Sequence, residues 1–532
     1  MSNAAGFHIT TLAHPAAAST RHVELDSGAA IIAMFRAVHY PVLNWRKPSP
    51  RVGMTMRFLM LAALAMVVAM PTTLQAQGQP ATLMATPGQD TPPKEWIDET
   101  TGHRIVRISD EPGSSSNYFN VNSYTPDGQW MAYSSPSGIM ALDLRSFRSK
   151  LIVPGRVSLQ FVGHKTGDVY YITGIEQTQG HDANSAHTPG AAVPSSNAAR
   201  QEARAIMAYS FATGQSRMIT TLDPDYSIAT INADETLFAG ARMTGGAGTG
   251  ENPGSVMANR DPADEVGPNG EKLTYAEGRE VQINRRLMMN IPMEIFTIDI
   301  RTGEKKTITA STDWLNHLQF SPTDPGLLLY CHEGNWHVVD RMWLVRVDRP
   351  DTPKLIHTRT MNMEIAGHEW WSQDGSTVWY DLQTPRGEDF WVAGYNVETG
   401  KRTWNHLERN SWGVHFNSNA DDTLFSSDGG DAEMAAHAPD GKYIWLLRPR
   451  AIPDVAGIHA ANSGSLITPG VLDPQQLVDL RNHDYRSEPN ASFTPDGKWL
   501  VFRSNMWGPG HVYAVEVTKP SGTGEADTST AR

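Results

Sequence analysis

One short phrase recurs along this chain and limits what it can fold into: an apolar residue, then Ser, Thr or Asn, then Pro or Ala, then Asp and Gly, followed by alternating large residues. It appears as "SYTPDGQWMAYSS" from 123, "INADETLFAGAR" from 231, "FSPTDPGLLLYCHEG" from 320, "WWSQDGSTVWYD" from 370, "NSNADDTLFSSDGG" from 417 and "FTPDGKWLVFRSN" from 493. A looser copy, "FVGHKTGDVYYITG" from 161, makes seven. Each is followed by a strand, a turn and a second strand, as in "IFTIDIRTGEKKTIT" and "FWVAGYNVETGKRTWNH". Asp-Gly and Thr-Gly supply the positive φ that tight hairpins need, so each repeat reads as two hairpins forming a four-stranded sheet. One such sheet cannot bury both faces, whereas sheets packed radially around an axis can. The expected fold class is therefore all-β, a seven-bladed β-propeller; six or eight blades stay open because the repeat spacing is uneven.

Insertions cause the unevenness. Residues 176–204 and 243–270 are rich in Gly, Ala, Ser and Pro and read as long surface loops. After them, "KLTYAEGREVQINRRLMMNIP" has apolar residues at helical spacing, which predicts a short helix over one end of the propeller. The propeller is expected over 94–518, with a disordered tail over 519–532.

Far upstream, "MRFLMLAALAMVVAMPTTLQAQ" from Met56 has Arg57, an apolar run to Met70, then Pro71 and small residues. This is the pattern of a signal peptide over 56–77, too short for a stable membrane span and implying a periplasmic or secreted protein. Residues 1–55 then read as an extension ahead of the true start at Met54 or Met56. A buried helix or an uncleaved anchor are the other readings of this run. Cys331 is the single cysteine, which excludes an internal disulfide and a Cys-based zinc site. With 44 Lys+Arg against 57 Asp+Glu the net charge is -13, and nucleic acid is not expected as a partner.

Loops of a propeller converge at the mouths of its channel, so ionisable residues at one repeat offset can meet there. His317, His368 and His415 stand just before the repeat phrase in three consecutive repeats, and His483, with Arg486 and Glu488, lies somewhat further upstream in the last. Converging neutral imidazoles suit a borderline divalent cation such as Mn²⁺, Fe²⁺ or Zn²⁺. "YCHEGNWHVVDRMW" adds His332 and Arg341. A guanidinium forks onto carboxylates, which makes Arg341 either a substrate clamp or half of a structural ion pair. Trp336, Trp370, Trp371 and Trp412 lie in the same stretches, suited to blade packing first and to sugar stacking second.

"HLQFSPTDPGLLLYCHEGNWHVVDRMW", "RTMNMEIAGHEWWSQDGSTVWYD" and "EPNASFTPDGKWLVFRSNMWGP" resemble the oligogalacturonate lyases, seven-bladed propellers that degrade pectin fragments by β-elimination. The resemblance runs from about Glu99 to about Val517. It implies a lyase acting on short oligogalacturonides or related acidic oligosaccharides, with a histidine base, an adjacent arginine and a Mn²⁺ held mainly by histidines and a glutamine. By motif position the base falls on His368, the arginine on Arg341, and metal ligands on His415 and His483. His317, His332, Arg486 and Trp371 fall among the substrate contacts. "LRNHDYRSEP" carries no glutamine, so the metal shell is completed by Asn482 or water, or the metal and substrate differ. The alternative is a non-catalytic periplasmic propeller that binds a sugar or a protein. A hydrolase is disfavoured, since no G-x-S-x-G elbow precedes an α/β domain.

Overall fold

In the computed structural model the described residues are 92–174, 204–244, 261–430, 438 and 441–520, all within the unit Gly78–Arg532. The expected N-terminal extension and export segment, most of both long loops and the tail beyond Pro520 lie outside them. Every repeat phrase becomes the hairpin between the innermost strand of a sheet and its neighbour, except in the first repeat. The sheets form seven blades: 130–154, 158–222, 227–311, 314–355, 365–407, 415–479, and a last one built from 492–516 with 95–107. Blades 5 and 6 are continuous at their edges, because Thr403–His406 pair in parallel with Thr468–Val471. The last blade takes its two outer strands from the other end of the chain. Arg104–Arg107 lies antiparallel to His511–Glu516, and Glu95–Ile97 pairs outside it, so the ring is closed by chain ends distant in sequence.

Alternation along the strands buries one row of side chains on each side of a blade. Between blades 5 and 6, Trp370, Trp412, Phe416 and Phe425 are fully buried, with the rings of Trp370 and Phe416 stacked at 6.5 Å. Trp370 and Trp412 therefore serve packing, as tryptophans in such repeats commonly do.

The helix expected after the second long loop is present at Tyr275–Met288. Thr274 and Glu277 form a capping box at its start, satisfying backbone N–H groups that helix geometry leaves unpaired. Arg386, between the second and third strands of blade 5, donates to Glu280 on this helix at 3.0 Å. The helix lies between the second and third strands of blade 3, hence on the ring face where the innermost strands begin.

Blade 1 departs from the pattern. Where other blades have an innermost strand, 116–123 is irregular and two isolated bridges flank it, Ser115 to Ser134 and Tyr124 to Met131. This segment crosses the axis instead. Asn120 Nδ2 donates to Glu369 O in blade 5 at 3.0 Å, Asn417 Nδ2 in blade 6 donates to Phe119 O at 3.1 Å, and Phe119 N donates to Asn490 Oδ1 in blade 7 at 3.4 Å. Tyr118–Asn120 thus forms a cross-piece inside the ring. An axial cavity of about 280 Å³, lined among others by Phe119, His317, Gln319, Trp371 and Pro495, extends toward the Asp-Gly turns.

Candidate functional site

The innermost strands of blades 4 and 5 each carry one extra residue relative to their partners, between Asn316 and Gln319 and between Gly367 and Trp370. A bulge of this kind re-aims side chains, and here it lifts a histidine out of the alternating pattern. His317 and His368 accordingly take φ of 50° and 46°, values uncommon for residues other than glycine. The conformation is strained and repeated in adjacent blades, a pattern typical of functional positions.

Each histidine near the axis meets a carboxylate from the next strand of its own blade. His368 Nδ1 lies 2.9 Å from Asp381 Oδ1, and His415 Nδ1 lies 3.0 Å from Asp428 Oδ2. Both carboxylates stand 13 residues after their histidine. Binding through Nδ1 fixes the ring and turns Nε2 outward, which is how a carboxylate prepares an imidazole for proton transfer or ligation. The two rings are 4.8 Å apart, edge to face. Blade 4 varies the theme: the strand position equivalent to Asp381 is Cys331, and His317 Nε2 instead lies 3.6 Å from Glu333 Oε2.

Arg341 is buried and donates from Nε to the fully buried Glu369 at 3.1 Å, while its Nη1 has no acceptor. A Cβ added at Gly367 would sit 3.4 Å from Asp381 Oδ1 and 3.8 Å from Arg341 Nε, so the absence of a side chain brings the guanidinium close to the His368–Asp381 pair. Burial acts to discharge Arg341, but the Glu369 carboxylate outweighs it and holds the proton firmly.

The other expected residues are dispersed. Trp371 is half-buried at the cavity wall and donates from Nε1 to Gln319 O at 3.2 Å. His332 turns outward between the rings of Tyr330 and Trp343 and bonds Asp313 at 2.8 Å. Arg486 is exposed and paired with Asp484. His483 is buried with Nδ1 at 2.9 Å from Ser504 Oγ and no partner at Nε2, and burial pulls its pKa down to about 4. Tyr485 stands between His483 and His415, its ring 6.1 Å from the former and its hydroxyl donating to Asp428 at 2.9 Å. His483 and His415 therefore do not share a pair of facing nitrogens. The group facing His415 Nε2 is Glu488, at 4.0 Å.

In His415, burial disfavours the charged ring most strongly, yet Asp428 and Glu488 reverse the balance and its pKa is raised. Asp428 itself is held low: burial pushes it up, and His415 with its hydrogen bonds more than compensates. His317, Cys331 and Glu333 bring donor atoms within 4.8 Å of one another. Glu333 already feels the charges of Arg341 and of Arg286, a buried helix residue whose pKa burial lowers to about 10, so a cation there would meet two guanidinium groups.

The profile of the family described as oligogalacturonate lyase matches residues 253–521. The chain is 27% identical over 237 residues to the oligogalacturonide lyase of Pectobacterium atrosepticum, covering 42% of this chain and 55% of that protein. It is 26% identical over 231 residues to the oligogalacturonate lyase of Dickeya dadantii, with the same coverage. These alignments span about half the length of the curated relatives. Among solved structures, an oligogalacturonate lyase in complex with manganese superposes with a TM-score of 0.56 at 19% identity, covering 80% of this chain and 96% of that one. The oligogalacturonate lyase of Vibrio parahaemolyticus gives 0.57 with the same identity and coverage. At such identity the superpositions speak for the fold. The profile match, running over half of the chain and taking in His317, Arg341, His368 and His415, says more: the chain belongs to the oligogalacturonate lyase family.

Proposed function

We propose that this protein is a lyase that cleaves short oligogalacturonides, or closely related oligouronides, by β-elimination. The observation that carries the proposal is the His368–Asp381 pair set beside Arg341. Elimination removes the proton α to the uronate carboxylate and expels the oxygen on the neighbouring carbon. That proton is weakly acidic because the carboxylate beside it is already negative, so a base and a fixed positive charge are both required. His368 offers Nε2 as the base, with Nδ1 held by Asp381 and the ring still partly open to solvent. Arg341, with an unspent donor at Nη1, faces the uronate carboxylate and takes up the charge that gathers on it.

The family includes a solved structure with manganese, and the donors of this chain fit such an ion at His415. Asp428 holds Nδ1 of that ring, leaving Nε2 toward the Glu488 carboxylate, a nitrogen and oxygen pair suited to Mn²⁺ with water completing the shell. Bound there, a divalent cation would supply Lewis-acid stabilisation of the uronate carboxylate. Activity outside the cytoplasm is part of the same proposal and rests on the signal-like run from Met56.

The test is release of the unsaturated uronate from digalacturonate, followed by its ultraviolet absorbance. His368→Ala is expected to lower kcat by about 10²- to 10⁴-fold, the usual weight of a general base. Chelation is expected to lower the rate until Mn²⁺ is returned, and His415→Ala to lower the bound metal measured by elemental analysis. A fully active His368→Ala would remove that residue from the base role, and full activity after exhaustive chelation would remove the metal.

A further inference from the structure

β-Elimination leaves an alkoxide unless a proton reaches the departing oxygen, and the pairs described so far supply only a base. We infer that Tyr118 is the acid: its hydroxyl hands a proton to the departing oxygen as His368 withdraws one from the neighbouring carbon. This rests on the lyase reading above.

Three observations support that role. It belongs to the cross-piece pinned by the Asn120 side chain to blade 5 and by the Phe119 backbone to blades 6 and 7, so its position is fixed by the same blades that carry His368 and His415. Its ring lies 5.1 Å from that of His415 and 5.9 Å from that of His317, and the His368 ring lies 4.8 Å from that of His415. Finally, its hydroxyl makes no hydrogen bond among the described residues, whereas the other phenol of the cluster, Tyr485, is committed to Asp428. Tyr118 is half-buried with its ring packed against those of Phe119, His317 and His415, an arrangement that fixes the ring while leaving the hydroxyl free for a ligand.

An ordinary tyrosine phenol, with a pKa of about 10, is protonated at neutral pH. A sugar alkoxide is a stronger base than a phenolate, so the transfer still runs toward the departing oxygen. The step balances: the carbon-bound proton passes to His368 Nε2, its electron pair becomes the new double bond, the carbon–oxygen bond breaks, and the oxygen takes the Tyr118 proton. Once products leave, the imidazolium returns its proton through solvent and Tyr118 is reprotonated.

The experiment compares wild type and Tyr118→Phe on digalacturonate and on a uronate whose 4-oxygen carries a dinitrophenyl group, which departs without a proton. For Tyr118→Phe we expect kcat on digalacturonate to fall by about 10²-fold or more with KM within a few-fold, and the activated substrate to react within a few-fold of wild type. Equal losses on both substrates, or unchanged turnover of digalacturonate, would overturn the assignment while leaving the lyase reading intact. No unsaturated product from the wild-type enzyme would overturn both.

Discussion

Asp381 and Asp428 each stand 13 residues beyond the histidine they hold, and the spacing is visible in "HEWWSQDGSTVWYD" and "HFNSNADDTLFSSD". Aligning the repeats was enough to group His317, His368 and His415, because offset within a repeat becomes position around the axis. It did not distinguish these two aspartates from Asp374, Asp421 and Asp422, which occupy the intervening turns and bond their own backbone or neighbouring side chains. Likewise His483 reads as a fourth member of the set, but 480–490 folds through turns and delivers the ring to Ser504. Glu488, from the same stretch, is what faces His415. If Asp381 fixes the imidazole so that Nε2 is the basic nitrogen, Asp381→Asn keeps the shape and loses the orienting charge. It should then lower kcat on digalacturonate by about 10²-fold or more with little change in KM. A variant as fast as wild type, with circular dichroism unchanged, would show that the pair is purely structural.

At the scale of the strand, the bulge does what no single residue does: it turns a histidine that alternation would assign to a blade face toward the centre. Nothing in the repeat phrase announces it, since one extra residue upstream of the Asp-Gly turn changes neither composition nor period. The helix was legible by contrast, because its apolar residues recur at helical spacing, and Thr274 with Glu277 then caps its start. Blade 7 repeats the strained position without the chemistry. Asn490 has φ 52° and its side chain reaches the Phe119 backbone, and Arg503 stands where blades 5 and 6 have aspartate. Left-handed backbone costs an ordinary residue about 1–2 kcal/mol and asparagine less, and a β-branched side chain tolerates it worst. His368→Val should therefore be less stable than His368→Asn by about 1–2 kcal/mol in urea unfolding, although both lack the imidazole. Equal midpoints would mean that the bulge relaxes and stores no strain.

The whole ring depends on a seam that the repeats do not reveal, since its two partners lie at opposite ends of the propeller sequence. Two buried histidines guard it. His103 Nδ1 lies 2.8 Å from Glu516 O and its Nε2 2.9 Å from Gln475 Nε2, while His511 Nδ1 lies 3.0 Å from Ser109 Oγ. Burial lowers the pKa of both from 6.5, assisted by Lys519 and Arg448 around His103 and by Arg107 and Lys94 around His511. The folded state thus prefers the neutral rings. Their contribution to stability is complete above the unfolded value of 6.5 and is lost as pH falls through the lower folded values. The seam, rather than the blades of the middle of the chain, should loosen first in acid. Amide exchange in Arg104–Arg107 and His511–Glu516, corrected for intrinsic rates, is expected to accelerate as the pH falls below 6.5 while Leu327–Glu333 in blade 4 stays protected. Replacing His103 and His511 together by glutamine should flatten that response, because an amide hydrogen-bonds without titrating. Exchange that rises uniformly around the ring, or a seam equally acid-labile in the double variant, would place the acid sensitivity elsewhere.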